Sequence, residues 1–205
     1  MNDYEDDAVW SAEIKAVYNQ GDTLLGTSVT GSELHFLNEV AQGDGDDDRN
    51  GREYTIVGLE VLLYLELTEK SNQTSAPSNN AFRILVIQDT QTNGTVLDET
   101  EALHAESSMH ILAQRNLYYG QRFKILFDQM VQLDHTAGAA TTSTTNDWAG
   151  ASYPLSITLP LNIKVRCSGT SSNISDVQDN SLHLLGIAAY TGITCHYQAR
   201  TLFVG

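Results

Sequence analysis

Apolar and polar residues alternate most regularly over residues 53–68, which makes this segment the strongest strand signal in the chain. One face of the segment carries the apolar residues Val57, Leu59, Val61, Leu63, Leu65 and Leu67. The other face carries Gly58, Glu60, Leu62, Tyr64 and Glu66. Because side chains alternate across a strand, this period of two predicts a β-strand with one face on a core and the other in solvent or against a partner.

The same pattern predicts further strands. They lie at 33–40, 82–88, 157–167, 181–190 and 194–204, with one bent strand or two short ones at 121–127 and 129–133. Asp128 would mark the bend, and Pro160 restricts its strand to a sheet edge or a strand start because proline has no N–H to donate. Asn93-Gly94 predicts a turn after 82–88. A short helix is expected around 106–113, and residues 8–19 predict a short helix or an extended arm.

The number of strands and the lengths of their connections predict the fold class. About eight strands, with long unequal loops and no βα alternation, favour an all-β fold, most simply a single eight-stranded antiparallel jelly roll, which is a β-sandwich with long connecting loops. We expect an N-terminal arm and connector at 1–32 and the jelly-roll domain at 33–205. The loops at 69–81 and 136–152 are expected to lie at the surface or in a contact.

Charge and length narrow the classes of function. The 205 residues carry 26 acidic and 11 basic side chains, for a net charge of −15. Strong acidity argues against general binding to nucleic acids or membranes. No apolar run approaches a membrane span of about 20 residues, and the first residues do not resemble a signal peptide.

Cys167 and Cys195 are expected to be reduced and buried, and a disulfide bond between them is the alternative.

An acidic, glycine-rich loop with the sequence GDGDDDRNG precedes the clearest strand. Its carboxylates could supply oxygen ligands to calcium at a subunit contact, and the candidates are Asp44, Asp46, Asp47 and Asp48. The spacing is not that of an EF-hand, so a solvated acidic loop is the alternative. A phosphate site is disfavoured because the loop lacks the G-x-x-x-x-G-K-[ST] motif and its carboxylates would repel phosphate.

The sequence shows no spacing of histidine or serine residues that is typical of an enzyme active site. The six histidines form no H-x-x-x-H or H-E-x-x-H pair, and no G-x-S-x-G is present. His35, His183 and His196 lie in predicted strands, where packing or hydrogen bonding is the usual role of a histidine. We therefore expect no enzyme activity and no cofactor, calcium excepted.

Basic residues in the predicted strands have two interpretations. Either they are solvated partners of nearby acids, or they form an inward-facing positive patch for a nucleic acid backbone. The candidates are Arg83, Arg122, Lys124, Lys164, Arg166 and Arg200.

Five segments occur in an order that resembles a known family. They are LHFLNEVAQGDGDDDRNGREYTIVGLEVLLYLEL, FRILVIQDTQTNGT, RFKILFDQMVQLD, PLNIKVRCSG and SLHLLGIAAYTGITCHYQARTLFV. The motifs at 37–43, 48–51, 83–94 and 122–128 resemble those of capsid (coat) proteins of small circular Rep-encoding single-stranded DNA viruses. That group is similar to the coat proteins of geminiviruses and of satellite tobacco necrosis virus. The resemblance spans roughly 33–204.

The resemblance implies a capsid protein that self-assembles into a small icosahedral shell, with T=1 and about sixty copies. It implies the virion as location, the host nucleus during assembly, and viral single-stranded nucleic acid as a partner. Arg49 would contact a neighbouring subunit or a carboxylate. The family's basic N-terminal arm is not matched, because only Lys15 precedes Arg49 among basic residues; either the arm was removed or genome binding differs. The alternatives are a trimeric lectin-like or cytokine-like ligand-binding module and a cupin-type enzyme, whose metal ligands the sequence lacks.

Overall fold

The computed structural model describes residues 13–67, 79–106, 108–134 and 151–205, and most of these residues lie in β-strands. The strands are β1 Lys15–Leu24, β2 Glu33–Phe36, β3 Glu53–Leu67, β4 Asn79–Asp89, β5 Leu103–His104, β6 Gln114–Arg115, β7 Phe123–Asp134, β8 Ser152–Cys167, β9 Val177–Asp179, β10 Ser181–Ala188 and β11 Ile193–Val204. Helical turns are short: α1 Glu99–Ala102 and 3-10 helices at His110–Leu112, Leu117–Tyr119 and Ile174–Asp176. Within these described ranges no helix is long and apolar enough to cross a membrane.

The strands form two large sheets. Sheet A has the order β1-β11-β3-β8-β9, and sheet B has the order β2-β10-β4-β7. Strands β5 and β6 pair separately, and every strand ladder is antiparallel. The predicted all-β antiparallel sandwich is confirmed. The described residues contain eleven strands where about eight were expected, and three of them, β5, β6 and β9, are only two or three residues long.

The main core lies between the two sheets and includes the inward face of β3. Leu59, Val61, Leu63, Leu65 and Leu67 are all buried, as the alternation predicts. The ladder with β8 shifts register between Ile56 and Gly58. This bulge changes which face each residue takes, so Ile56 joins the core while Val57 stays partly exposed. The prediction that Val57 shares the core face was therefore wrong.

The central strands of sheet B, β4 and β10, are buried on both faces because the described part of the connection between β4 and β7, residues 90–122, folds over the outer face of the sheet. We call this connection the insert. Leu85 and Ile87 of β4, with Leu185 and Ile187 of β10, form a second core together with apolar residues of the insert. This second core explains why 82–88 and 181–190 are apolar on both faces rather than alternating.

Strand β1 was not predicted and lies inside the range 1–32 assigned to an arm and connector. It pairs with β11 over its whole length, from Lys15 opposite Phe203 to Leu24 opposite Thr194. Only Asn19 in β1 is buried, so the segment has no apolar face that a periodicity argument could find. Residues 8–12 and most of the predicted loops 69–81 and 136–152 fall outside the described residues.

Four local features were predicted: a bend near Asp128, a helix, a turn and the edge position of Pro160. Residues 123–134 form one continuous strand with a register shift opposite Val86 and Ile87, close to the predicted bend. Among the described residues of the range 106–113, only His110–Leu112 is helical. Asn93 and Gly94 have φ values of 50° and 72°, as a tight turn requires. Strand β8 pairs with β9 only at Arg166 and Cys167, which leaves Pro160 on an unpaired edge.

The two cysteines are free and buried, so we expect them to be unreactive in the native protein. Burial raises the pKa of the Cys195 thiol to about 12, and burial also raises the pKa of Cys167. Because the thiolate is the reactive form, Ellman's reagent at pH 8 should detect almost no thiol in folded protein and two per chain in denaturant. Rapid labelling of native protein would show that one of the two sites opens readily.

Candidate functional site

The acidic loop is organised by a lysine and by its own backbone. The Lys15 ammonium donates to the carbonyls of Gly45 at 3.1 Å and Asp48 at 2.9 Å. The Asp48 carboxylate accepts from the Gly45 N–H at 3.1 Å. Asp44, Asp46 and Asp47 are exposed. Among the described residues no three His, Cys, Asp or Glu side chains are grouped to hold a metal ion, so one subunit does not gather the four predicted calcium ligands.

Arg49 lies inside the molecule, which corrects its assignment as an assembly contact. Its side chain is fully buried and donates to the carbonyls of Val40, Gly51 and Gly169, the last at 2.7 Å. It also donates to the Gln42 side chain at 3.5 Å. The guanidinium therefore ties the loop before β3 to the loop after β8, and it offers no surface to a neighbouring subunit.

The six basic residues proposed to contact nucleic acid do not form one patch. Arg83 lies beneath the insert, whereas Lys164, Arg166 and Arg200 lie on the outer face of sheet A. Five of the six are paired with acids, in the pairs Arg83–Asp128, Arg122–Asp89, Lys164–Glu53, Arg166–Asp179 and Arg200–Glu60. Lys124 is exposed and has no ion pair within the described part of the chain. Apart from the buried Arg83, this distribution matches the interpretation of solvated strand faces with acidic partners.

A buried network joins β2, β10 and the insert. A hydrogen bond joins His183 Nε2 to Ser181 Oγ at 2.7 Å, and His183 Nδ1 bonds the Glu33 carboxylate. The Thr92 hydroxyl donates to Ser181 at 2.7 Å. The order Ser–His–Glu resembles a hydrolase triad. Ser181 and His183 are both fully buried, however, so a substrate cannot approach the hydroxyl and the network acts as a structural tie.

The outer face of sheet A carries a groove of about 700 Å³ across β1, β11, β3 and β8. Leu62 and Tyr64 lie in it with 57% and 44% of their surface exposed. Pro154 of β8 is opposite Tyr64, and the Gln20 and Gln198 side chains line the neighbouring row of the sheet. Leu62 and Tyr64 were predicted to face solvent or a partner. The groove itself was not predicted, because it depends on four strands meeting in register.

An acidic pair surrounds His196 at one side of the groove. His196 Nδ1 lies 2.6 Å from the Asp22 carboxylate of β1, and Nε2 lies 3.5 Å from that of Glu66 on β3. The hydrogen bond to Asp22 raises the pKa of His196 above its ordinary value of about 6.5. The imidazolium is therefore favoured here more than in the unfolded chain.

We expect an NMR titration to place the pKa of His196 above 6.5 and the variant Asp22→Asn to lower it. Because the folded-state pKa is the higher one, the stabilisation is fully present below the unfolded pKa and is lost as pH rises through the folded pKa. Exposure of the side chains keeps this stabilisation small. An unchanged His196 titration in Asp22→Asn would show that Asp22 is not the cause.

The insert exposes apolar side chains on the opposite side of the sandwich. Leu117 and Tyr118 have 84% and 96% of their surface exposed, in the 3-10 helix Leu117–Tyr119. We call these three residues the insert tip. The sequence signal for it was three consecutive large residues between polar ones, which periodicity does not detect. Among the described residues, Leu117 and Tyr118 are the most exposed of the large apolar side chains.

Together these features define an all-β sandwich with an open groove on one side and an apolar tip on the other. No family model and no curated protein matches the sequence. Among solved structures the chain is similar to the BFDV capsid protein in the crystal structure of its 60-mer, with 11% identity, coverage of 94% of this chain and 93% of that chain, and a TM-score of 0.33. It also aligns with the tailspike protein of Acinetobacter baumannii phage AM24, with 12% identity, coverage of 91% and 26%, and a TM-score of 0.19. Similarity at this level does not support a conclusion about function.

Proposed function

We propose that this chain is a capsid protein whose copies assemble into a small closed shell of about sixty subunits. The order of the long strands supports an eight-stranded jelly roll for the sandwich: β1-β11-β3-β8 in one sheet and β2-β10-β4-β7 in the other. Such a pair of four-stranded sheets arises from two nested Greek keys. Jelly rolls also serve lectins and cupins, so the fold alone does not select the function.

The observation that carries the proposal is the pair of exposed apolar surfaces. Leu117, Tyr118 and Leu62 each expose more than half of their surface, in a chain whose net charge is −15. Clustered exposed apolar side chains mark interaction sites, and aromatic residues are enriched in protein interfaces. The resemblance of five sequence segments to capsid proteins of small circular single-stranded DNA viruses points to the same function.

The chain contributes little to genome binding in this proposal. Affinity for nucleic acid scales with the phosphates that a protein neutralises, and five of the six candidate cations already have acidic partners. A basic arm, where present, would carry that role. The virion, with the host nucleus during assembly, is the proposed location. No catalytic role is proposed.

Assembly should respond to pH and to divalent ions. Subunits of net charge −15 repel one another, so protonation of carboxylates or binding of calcium between subunits would favour the shell. The Asp44, Asp46, Asp47 and Asp48 loop is the proposed calcium site, completed by a second subunit. Equal assembly with calcium, with EDTA and at every pH would contradict this part of the proposal.

Size-exclusion chromatography with light scattering tests the proposal. A chain of 22.5 kDa in a shell of about sixty copies should elute as a species in the megadalton range. A monomer or trimer under every condition would contradict self-assembly. That result would favour the alternative, a lectin-like or cytokine-like ligand-binding module, because the groove of about 700 Å³ has the size of a small-molecule site. A glycan array would then be the next measurement.

A further inference from the structure

The groove and the insert tip lie on opposite sides of one subunit. The groove is on the outer face of sheet A. The insert packs on the outer face of sheet B, through residues such as Leu103, Ile111 and Ala113. Both sheets and their common core separate the two surfaces, so a subunit cannot fill its own groove. Any occupant of the groove comes from another molecule.

The insert tip is presented in a fixed conformation. The Asn116 side chain accepts from the Tyr118 N–H at 3.1 Å, and the Asn116 N–H donates to the Ala102 carbonyl at 3.0 Å. The Arg115 guanidinium donates to the Gly120 carbonyl and closes the loop behind the tip. Holding Leu117 and Tyr118 in place before contact reduces the entropy lost on binding.

An exposed arginine lies beside the insert tip and exposed acids lie beside the groove, and this pairing of opposite charges favours contact. Residues 107–127 include no Asp or Glu and carry Arg115, Arg122 and Lys124; the acids of the insert precede them, at 98–106. Arg115 is exposed beside the tip, whereas Lys124 lies on the face of β7 opposite to Phe123 and Ile125, which pack against the insert. The side chains of Asp22 and Glu66 beside the groove are 74% and 53% exposed. His196 lies between these two acids, and the Arg200–Glu60 pair occupies the next part of the face.

The residues that line the groove also complement the side chains of the insert tip. Leu62, Tyr64 and Pro154 provide an apolar floor for a leucine and an aromatic ring, and the Gln20 and Gln198 amides can bond a phenol. A buried aromatic side chain removes roughly 150–250 Å² from water and often anchors an interface. The groove of about 700 Å³ is large enough for more than one side chain.

We propose that the insert tip of one copy of this chain seats in the sheet A groove of the next copy. The inference rests on the proposed self-assembly and names its contact. A contact between two different surfaces is heterologous, and repetition of it closes into rings or shells when the rotation permits. Leu117 and Tyr118 are the anchors, Leu62 and Tyr64 receive them, and the acids beside the groove face Arg115.

Single substitutions at exposed positions test the contact without disturbing the core. We expect Tyr118→Ser and Leu62→Ser each to raise the protein concentration needed for assembly at least tenfold. Met130→Ser, an exposed apolar residue of β7 outside both surfaces, should leave it unchanged. Thermal unfolding of the three variants should match that of the wild type, which excludes misfolding as the cause. Normal assembly of both tip and groove variants would overturn the inference.

Cysteine pairing identifies the partners directly. Leu117→Cys protein is mixed with Leu62→Cys protein under mild oxidation, with the two native thiols buried. The inference predicts disulfide-linked dimers in the mixture and none in either variant alone. Wild-type shells without a mixed cross-link would overturn the inference and leave the proposed function standing. Wild-type monomers without a cross-link would overturn both. Dimers of Leu117→Cys alone would mean a contact between two tips and would also overturn it.

Discussion

Arg83→Met is expected to lower the free energy of unfolding by about 3 kcal/mol, because two buried carbonyls lose a donor at about 1–3 kcal/mol each and the carboxylate of Asp128, which is 36% exposed, loses its ion-pair partner. The Arg83 side chain is 11% exposed and bonds both carboxylate oxygens of Asp128, at 2.7 and 2.6 Å. It also donates to the carbonyls of Ile111, at 3.1 Å, and Ala113. The substitution leaves a carboxylate and two carbonyls of the insert without their donor, while methionine keeps most of the apolar stem.

Urea denaturation of Arg83→Met, beside Lys164→Met as control, measures this effect. Lys164 pairs with Glu53 at a site where both side chains are about half exposed or more, so its loss should cost about 1 kcal/mol or less. Hydrogen exchange should also accelerate at the amides of the insert near Ile111. Equal destabilisation by the two substitutions would contradict the view that Arg83 fastens the insert to sheet B.

Arg49→Met is expected to destabilise the protein by about 3 kcal/mol, because one buried and two part-buried carbonyls lose a donor at about 1–3 kcal/mol each while burial of the charge is relieved. The carbonyls belong to Val40, Gly51 and Gly169, on two separate loops. Arg49→Lys should not restore the wild-type stability. A lysine presents one nitrogen, whereas the guanidinium spreads its donors across the site.

Arg52→Met provides the matched control for this substitution. Arg52 lies three residues further on, its side chain is exposed, and it makes no side-chain bond within the described residues. Its replacement should change the free energy of unfolding by less than about 0.5 kcal/mol. Chemical denaturation of the three variants provides the comparison. Wild-type stability of Arg49→Lys would show that charge, rather than the shape of the guanidinium, satisfies the carbonyls.

The sequence predicted those parts of the fold that depend on side-chain alternation. Leu59 to Leu67 occupy the predicted face because each of them follows the period of two. Val57 departs from this pattern because a bulge is a property of two paired strands, and the partner of β3 is more than 100 residues away. Strand β1 was not predicted for a related reason. It is a polar edge strand stabilised by its ladder with β11 rather than by an apolar face.

The candidate site was less predictable, because it depends on which charged side chains contact one another in the folded chain. Arg83 and Asp128 are 45 positions apart, and nothing local to either residue indicates their pairing. The arginine of the acidic loop could be noticed in the sequence, but its burial against Gly169 could not, since that contact spans 120 positions. The groove similarly arises only when β1, β11, β3 and β8 align.

Electron microscopy of the purified chain at mildly acidic pH tests self-assembly most directly. Protonation reduces the repulsion between subunits of net charge −15, so this condition favours the assembled state. The account predicts uniform closed shells with the mass of about sixty subunits. Dispersed particles of monomer or trimer size at every pH and protein concentration would contradict it.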